Sequence, residues 1–235
     1  MNWIQESIIE ADLMDDTTII IRVKNEEDWI GHSIQSVIDN IKNAKIIVVD
    51  NSSTDSSLNI ARLFKHDTSI SKSERYVDLE IINIEKYSPG RAINQAVKLV
   101  NTKSILLLSS HCEIIEYSEN LVNNLLEKHV AIFGKQIPRY FGKKILPRYI
   151  WSHYGEEQVI NMFSKLESRY FLHNAFCAFR TSYLIDNPFN ENLVGKEDRY
   201  WAADVIENGY SYVYEPKLIC HHHYTANGNT WRGVD

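Results

Sequence analysis

Four short apolar runs, each ending in a cluster of polar residues, constrain this chain more than any other feature. They cover residues 17–23, 45–49, 79–84 and 104–108, and each has the length and β-branched content of a buried strand. Segments of helical period lie between them. Residues 26–41 place Ile30, Ile34, Val37, Ile38 and Ile41 on one stripe; a second helix runs through Leu58, Ala61, Leu63 and Phe64. A third, 91–100, lines up Ala92, Ile93, Ala96, Val97 and Val100 after the break at Ser88-Pro89-Gly90. Continuous apolar strands separated by amphipathic helices predict a mostly parallel, Rossmann-like α/β sheet covered by helices on both faces. Ligands of such sheets bind at the carboxyl ends of the strands. The polar groups there are Lys24-Asn25-Glu26, Asp50 to Ser53, and Ser109-Ser110-His111.

The second half is less regular. Residues 135–170 are aromatic and basic, 171–180 read as a strand, and 196–208 as a helix with Trp201, Ala202, Val205 and Ile206 on its apolar stripe. Residues 210–214 and 217–221 read as two strands on either side of Pro216. At 235 residues, with neither repeat nor linker, the chain predicts one domain. A net charge of −6 argues against nucleic acid as the main partner. Three widely spaced cysteines do not make a disulfide framework and fit a reducing compartment. Residues 1–16 carry five acidic residues and no basic start, unlike a secretory signal, and no apolar run is long enough to span a bilayer.

The motifs make the reading more specific. Ile19-Ile20-Ile21-Arg22-Val23-Lys24-Asn25-Glu26, followed by Val49-Asp50-Asn51-Ser52-Ser53-Thr54-Asp55, resembles the opening of family 2 glycosyltransferases of GT-A fold, where one strand ends in Asn-Glu and the next in Asp-x-Ser-x-Asp. Asp50 and Ser52 are also ordinary turn and helix-cap residues, so it is the pairing of both segments that carries the resemblance. Ser88 to Ala96 is similar to the family's Gly-x-x-x-Asn stretch. The resemblance implies a nucleotide-sugar donor held by Arg22, Lys24, Asn25, Glu26, Asp50, Ser52, Arg91, Ser109, Ser110 and His111. In that set a strand-end Asp accepts from a pyrimidine N3–H, and Arg91 pairs with a donor phosphate.

Most members then carry an Asp-x-Asp that binds a divalent metal, Mn²⁺ or Mg²⁺. Here Ser109-Ser110-His111 stands in its place. Loss of both carboxylates weakens hard oxygen ligation, while imidazole still suits Mn²⁺ or a later metal. Two readings stay open: His111 as a ligand, or an enzyme that needs no metal. In Cys220-His221-His222-His223, alternation puts His221 and His223 on one face and His222 on the other. The resemblance implies that His221 or His223 joins His111 at the metal or diphosphate.

Gly195-Lys196-Glu197-Asp198-Arg199-Tyr200-Trp201 resembles the family's x-Glu-Asp motif. This implies Asp198 as catalytic base, with Glu197 orienting the acceptor or the structure. Such a base takes the acceptor proton as the hydroxyl attacks the anomeric carbon. Trp151, Tyr154 and Trp201 are candidate sugar-stacking residues, although aromatics are more often core.

The resemblance therefore implies an inverting glycosyltransferase with residues 17–115 as the nucleotide-sugar half and 116–235 as a smaller, irregular acceptor and catalytic half. The expected acceptor is a glycan or lipid-linked oligosaccharide in bacterial surface polysaccharide synthesis. The expected place is the cytoplasm, with peripheral contact at the inner face of the membrane. The alternatives are a degenerate protein that binds nucleotide-sugar or glycan without turnover, and a nucleotidyltransferase. The latter would need a Gly-rich basic loop where this chain has Lys24-Asn25-Glu26-Glu27-Asp28. A dehydrogenase would need a G-x-G-x-x-G that follows none of the strands.

Overall fold

A computed structural model describes residues 14–65, 77–140, 143–144 and 149–225. The first half alternates as its sequence predicts: β1 (Met14–Val23), α1 (Ile30–Asn40), β2 (Lys45–Asp50), α2 (Ser57–Arg62), β3 (Asp78–Asn83), α3 (Pro89–Val97) and β4 (Thr102–Ser109). The strands β3-β2-β1-β4 lie side by side and all parallel, with Ile21 of β1 between Val48 of β2 and Leu108 of β4.

Successive residues of β1, β2 and β4 enter different cores, which is why the centres of these runs are continuously apolar. Ile20, Ile47, Val49, Ile105 and Leu107 pack on one face with Ala92, Ile93 and Ala96 of α3. Ile19, Ile21, Ile46, Val48, Leu106 and Leu108 pack on the other with Ile30, Ile34 and Val37 of α1 and Ala61 of α2. Helix α3 starts two residues before the expected 91, because the Ser88 hydroxyl accepts the Arg91 N–H and Pro89 occupies the first turn. Helix α1 begins later than its periodicity predicts, because residues 26–29 form a turn in which the Trp29 and Ile30 N–H groups both reach the Glu26 carbonyl.

The second half extends the same sheet with antiparallel pairs. It contains β5 (Cys112–Glu116), α4 (Glu119–Leu126), β6 (Ala131–Tyr140), β7 (Lys143–Lys144), a 3-10 turn (Tyr149–His153), β8 (Val159–Ile160), β9 (Phe163–Ser164), β10 (Arg169–Tyr170) and β11 (Phe176–Arg180). Helices α5 (Thr181–Asp186) and α6 (Glu197–Glu207) and the long strand β12 (Tyr212–His223) complete it. Strand order continues β4-β11-β6-β12-β5, with β7 on β6 and β8 on β12, while β9 and β10 form a separate hairpin. Strands β4, β11 and β6 pair antiparallel; β6 and β12 pair parallel.

Two expectations change here. Residues 210–221 are not two strands split by Pro216 but one strand, β12, which bulges between Glu215 and Ile219 so that these pair with the adjacent Gly134 and Lys135 of β6. Residues 131–140, whose second half belongs to the stretch 135–170 read only as aromatic and basic, form a largely buried strand between β11 and β12. Gly134 makes this close fit possible: a Cβ there would meet the Phe176 ring at 2.5 Å and the Leu218 carbonyl at 2.7 Å. Cys112, Cys177 and Cys220 are all free and buried. Among the described residues no helix is long and apolar enough to cross a membrane.

Candidate active site

The loops after β1 and β2 are laced to each other. The Asn25 side chain accepts the Thr54 N–H at 2.7 Å, while its own N–H donates to Ser53 Oγ at 3.0 Å. The Glu26 N–H donates to Ser57 Oγ at 2.8 Å, and Glu27 and Asp55 exchange similar bonds with the opposite loop. Lys24 Nζ donates to the carbonyls of Asn51 and Ser52, both at 2.7 Å. Asp50, buried at the end of β2, accepts the Ser53 N–H at 3.1 Å. Asn25 and Ser52 adopt the left-handed conformation, with φ 51° and 54°. Asn tolerates that region because its short side chain can bond locally.

Carboxylates and arginines converge on the first turn of α6. The Arg22 guanidinium, from β1, lies 3.6 Å from Glu197 and donates to the Asn174 side-chain oxygen at 3.1 Å. Asn174 in turn donates to Glu197 at 2.9 Å, and its N–H donates to Asp198 Oδ2 at 3.2 Å. Arg199 Nη1 donates to Asp198 Oδ2 at 2.8 Å, and the Arg199 N–H donates to Asp198 Oδ1 at 2.9 Å. Lys196, which precedes the helix, is left-handed at φ 60° and turns both acidic side chains inward. Burial pushes the Asp198 carboxyl up, Arg199 pulls it down, and Glu197 raises it again; the balance sits at about 6.

The histidines occupy two faces, as alternation along β12 requires. His221 and His223 share one face with Glu113 of β5, and one ligand atom from each of the three falls within 4.8 Å of the others. Glu113 accepts from His223 Nε2 at 3.0 Å and lies 3.9 Å from His221 Nδ1. Arg139 donates to His221 Nε2 at 2.8 Å, and Trp29 stacks on the His223 ring at 3.7 Å. Burial lowers the pKa of both histidines; Arg139 lowers that of His221 further, while Glu113 opposes the shift at His223. Both are thus neutral imidazoles at neutral pH, the form that ligates metals. Two imidazoles and a carboxylate suit Mn²⁺ or a later metal. Ligation through His221 Nδ1 would move its proton to Nε2 and break the Arg139 bond.

His222 points the other way, where its ring lies 4.9 Å from that of His111 and its Nδ1 bonds to the Gln136 side chain at 2.8 Å. His111 is 3.3 Å from Glu26 without an aligned hydrogen bond. It therefore faces Glu26 and His222 rather than joining Glu113, His221 and His223. Glu26 also accepts the Thr225 hydroxyl at 2.7 Å, which ties the end of β12 to the loop after β1.

The model of the family described as "Glycosyl transferase family 2" matches residues 18–187, most of the chain. The chain belongs to glycosyl transferase family 2. Among curated relatives, it is 24% identical over 204 residues to the O-antigen chain rhamnosyltransferase WbaN of Salmonella anatum, covering 82% of this chain and 61% of that protein. It is 30% identical over 144 residues to the poly(ribitol-phosphate) beta-glucosyltransferase of Bacillus spizizenii, covering 55% of this chain and 22% of that one. This chain thus spans less than two thirds of the length of the relatives it matches. Among solved structures, S. aureus TarS 1–349 in complex with UDP-GlcNAc superposes with a TM-score of 0.67 at 18% identity, covering 94% of this chain and 62% of that one. GalNAc-T7 with UDP, GalNAc and Mn²⁺ gives 0.65 at 14% identity, covering 92% and 45%. The fold is that of the GT-A glycosyltransferases.

Several motif residues of this family 2 domain do local work. Lys24, Asn25 and Ser52 hold the two loops together, and Asp50 closes its own turn. Ser109 ends β4, its N–H bonded to the Ala175 carbonyl at 2.9 Å, and Ser110 is buried beside it. Arg91 lies apart from the convergent cluster: it pairs with Glu191 at 3.1 Å and bonds to the Lys86 carbonyl at 3.2 Å. The proposed sugar platforms are core residues. Trp201 is 3% exposed among Phe179, Tyr183 and Phe189, and Trp151 and Tyr154 are buried around Phe133, Phe171 and Tyr224. All three are packed among neighbouring rings rather than standing as open platforms.

Sequence reading missed Glu113, Gln136, Arg139 and Asn174. Asn174 lies within the run 171–180 read as strand, and its polarity next to an apolar stretch was the available signal. The others belong to no motif.

Proposed function

We propose that this chain is an inverting glycosyltransferase that moves a sugar from a nucleotide-sugar to an acceptor hydroxyl. The observation that carries the reading is Asp198, a buried carboxylate placed at the first turn of α6 beside the carboxyl end of β1. Asn174 donates to it through its N–H and links it to Glu197 and to Arg22 of β1. Three of the lone-pair sites of Asp198 accept hydrogen bonds, which fixes the carboxylate and leaves one Oδ1 direction for a proton. The acceptor oxygen attacks the anomeric carbon as its proton passes to Asp198. The bond from that carbon to the diphosphate oxygen breaks on the opposite side, so the configuration inverts.

The nucleotide half, residues 17–115, holds the donor at the laced loops, and residues 116–235 supply the base and the acceptor side. TarS solved with UDP and UDP-GlcNAc, and GalNAc-T7 solved with UDP and Mn²⁺, support a nucleoside diphosphate as leaving group. The O-antigen chain rhamnosyltransferase and poly(ribitol-phosphate) beta-glucosyltransferase relatives support a bacterial surface polysaccharide as the product, with hexose and deoxyhexose donors both compatible. A lipid-linked acceptor would place the reaction at the inner face of the membrane. A divalent metal held by Glu113, His221 and His223, with His111 nearby, would neutralise charge on the leaving diphosphate.

The test is transfer and slow donor hydrolysis with UDP-, dTDP- and GDP-sugars, each with Mn²⁺, Mg²⁺ or EDTA, for the native chain and Asp198→Asn. The substitution is expected to lower turnover by about 10²–10⁴-fold while nucleotide binding persists. Full turnover by Asp198→Asn would remove the base assignment. Absence of thermal stabilisation by any nucleotide would remove the donor assignment, since a ligand at a hundred times its Kd stabilises by ~2.7 kcal/mol.

A further inference from the structure

Arg199 has a second carboxylate partner that the base does not require for geometry alone. Glu167 lies in the four-residue turn between β9 and β10, 32 residues before Arg199, and its Oε1 is 3.3 Å from Arg199 Nη2. The rest of that turn faces outward: Leu166 is 69% exposed, whereas the Glu167 side chain is 6% exposed. The turn is built to hold Glu167 inward. Its N–H donates to Ser164 Oγ at 3.0 Å, that hydroxyl also bonds to His153 Nε2 at 2.7 Å, and Ser168 takes the left-handed conformation at φ 52°. His153 stacks on one side of Phe171 at 3.9 Å, and the Arg199 guanidinium covers that ring at 4.2 Å. The same residues therefore position both ends of the ion pair.

The pair is poorly formed for a purely structural bridge. Only one arm of the fork is used, and both Glu167 Oε2 and Arg199 Nε are buried without a hydrogen-bond partner among the described residues. Burying a second carboxylate in this way is costly, but it changes the charge around the base. Arg22 offsets Glu197, and Arg199 alone would offset Asp198; with Glu167 the group carries one net negative charge. Tyr154, His173 and Cys177 also face these groups, and all three are neutral: burial raises the tyrosine and thiol and lowers the histidine.

We infer that Glu167 is a positioning residue for the catalytic base: by sharing the Arg199 guanidinium, it keeps that cation from stabilising the Asp198 carboxylate and so maintains the affinity of Asp198 for the acceptor proton. This rests on the reading of Asp198 as base. It assigns a catalytic purpose to a hairpin that carries no family motif.

The experiment compares Glu167→Gln and Glu167→Asp with the native chain. The pH dependence of kcat/KM is measured for each, together with carboxyl titration by ¹³C NMR of aspartate-labelled protein, in which Asp198→Asn identifies the Asp198 signal. Removing the charge in Glu167→Gln is expected to move the acid limb and the Asp198 titration down together, by on the order of one pH unit. Glu167→Asp, which keeps the charge, is expected to restore part of that shift. An unmoved titration in folded Glu167→Gln would overturn the inference, whatever its activity. A loss of rate at all pH values with both curves unmoved would make Glu167 merely structural and overturn it as well. If the titration moves while Asp198→Asn retains full rate, the electrostatic link stands but Asp198 is not the base, and the failure lies in the functional reading.

Discussion

The loops after β1 and β2 and the first turn of α6 face the same strand-end surface, yet they are held by different chemistry. Between the loops, backbone N–H groups meet hydroxyl, amide and carboxylate oxygens at 2.7–3.0 Å, and Lys24 is spent on two carbonyls. Around α6, two arginines and three carboxylates are packed almost out of reach of water. The first arrangement fixes the shape of the proposed nucleotide site. The second sets a proton affinity, because buried charges interact strongly and burial disfavours ionisation. Mutations in the two regions should therefore report on different quantities.

The sharpest contrast is in pH. As the proposed base, Asp198 has to be ionised to accept a proton, and its carboxyl is pushed up to about 6. The rate should thus be full above that value and fall about tenfold for each unit below it. Nucleotide affinity at the laced loops should stay nearly level over the same range. A kcat/KM profile from pH 4.5 to 8 beside nucleotide titrations checks both, and a joint decline would mean that the two regions are not separable.

Trp201 tests whether the boundary between core and site is drawn correctly. Trp201→Ala should cost about 3–5 kcal/mol of stability in urea unfolding, as a buried aromatic does. A stable variant with a raised acceptor KM would instead return Trp201 to the acceptor site. Gly134→Ala probes the seam between β6, β11 and β12 and should cost about 1–3 kcal/mol, since its methyl would overpack Phe176 and the Leu218 carbonyl. The smallest effect belongs to the loops. Asn25→Gly keeps the left-handed backbone but loses the acceptor for the Thr54 N–H, so stability should fall by about 1 kcal/mol. Calorimetry should show weaker nucleotide binding with an unchanged pH profile.

The same contrast explains what could be read from the residues. The strands β1, β2 and β4 show themselves because both faces are buried and their centres are continuously apolar, and the limits expected for the four parallel strands fall within two residues at most ends. Asp50, Glu197 and Asp198 carry local patterns that survive without tertiary context. Strand β6 was hidden because Gly134, Lys135, Gln136 and Pro138 resemble a loop; each has a reason that only neighbours reveal, such as the Phe176 ring over Gly134 or the His222 bond to Gln136. Pro216 read as a break because a bulge and a loop use the same residues. Trp151, Tyr154 and Trp201 could not be told from ligand platforms, since an amphipathic stripe says that a ring is buried but not against what. Glu167 is the extreme case. Nothing near it in sequence marks a turn glutamate as a buried partner of an arginine 32 residues away.

The buried thiols have a practical consequence. Burial pushes Cys177 and Cys220 well above the ordinary thiol range, and Cys112 lies against Cys220 where β5 meets β12. A thiol held protonated and covered does not react with alkylating reagents, so modification must wait for the sheet to open. Cys177 sits between β4 and β6, while the other two report on the β12–β5 edge. Pulse alkylation followed by peptide mass spectrometry would thus time the separation of these two seams in the unmodified protein, with no introduced probe.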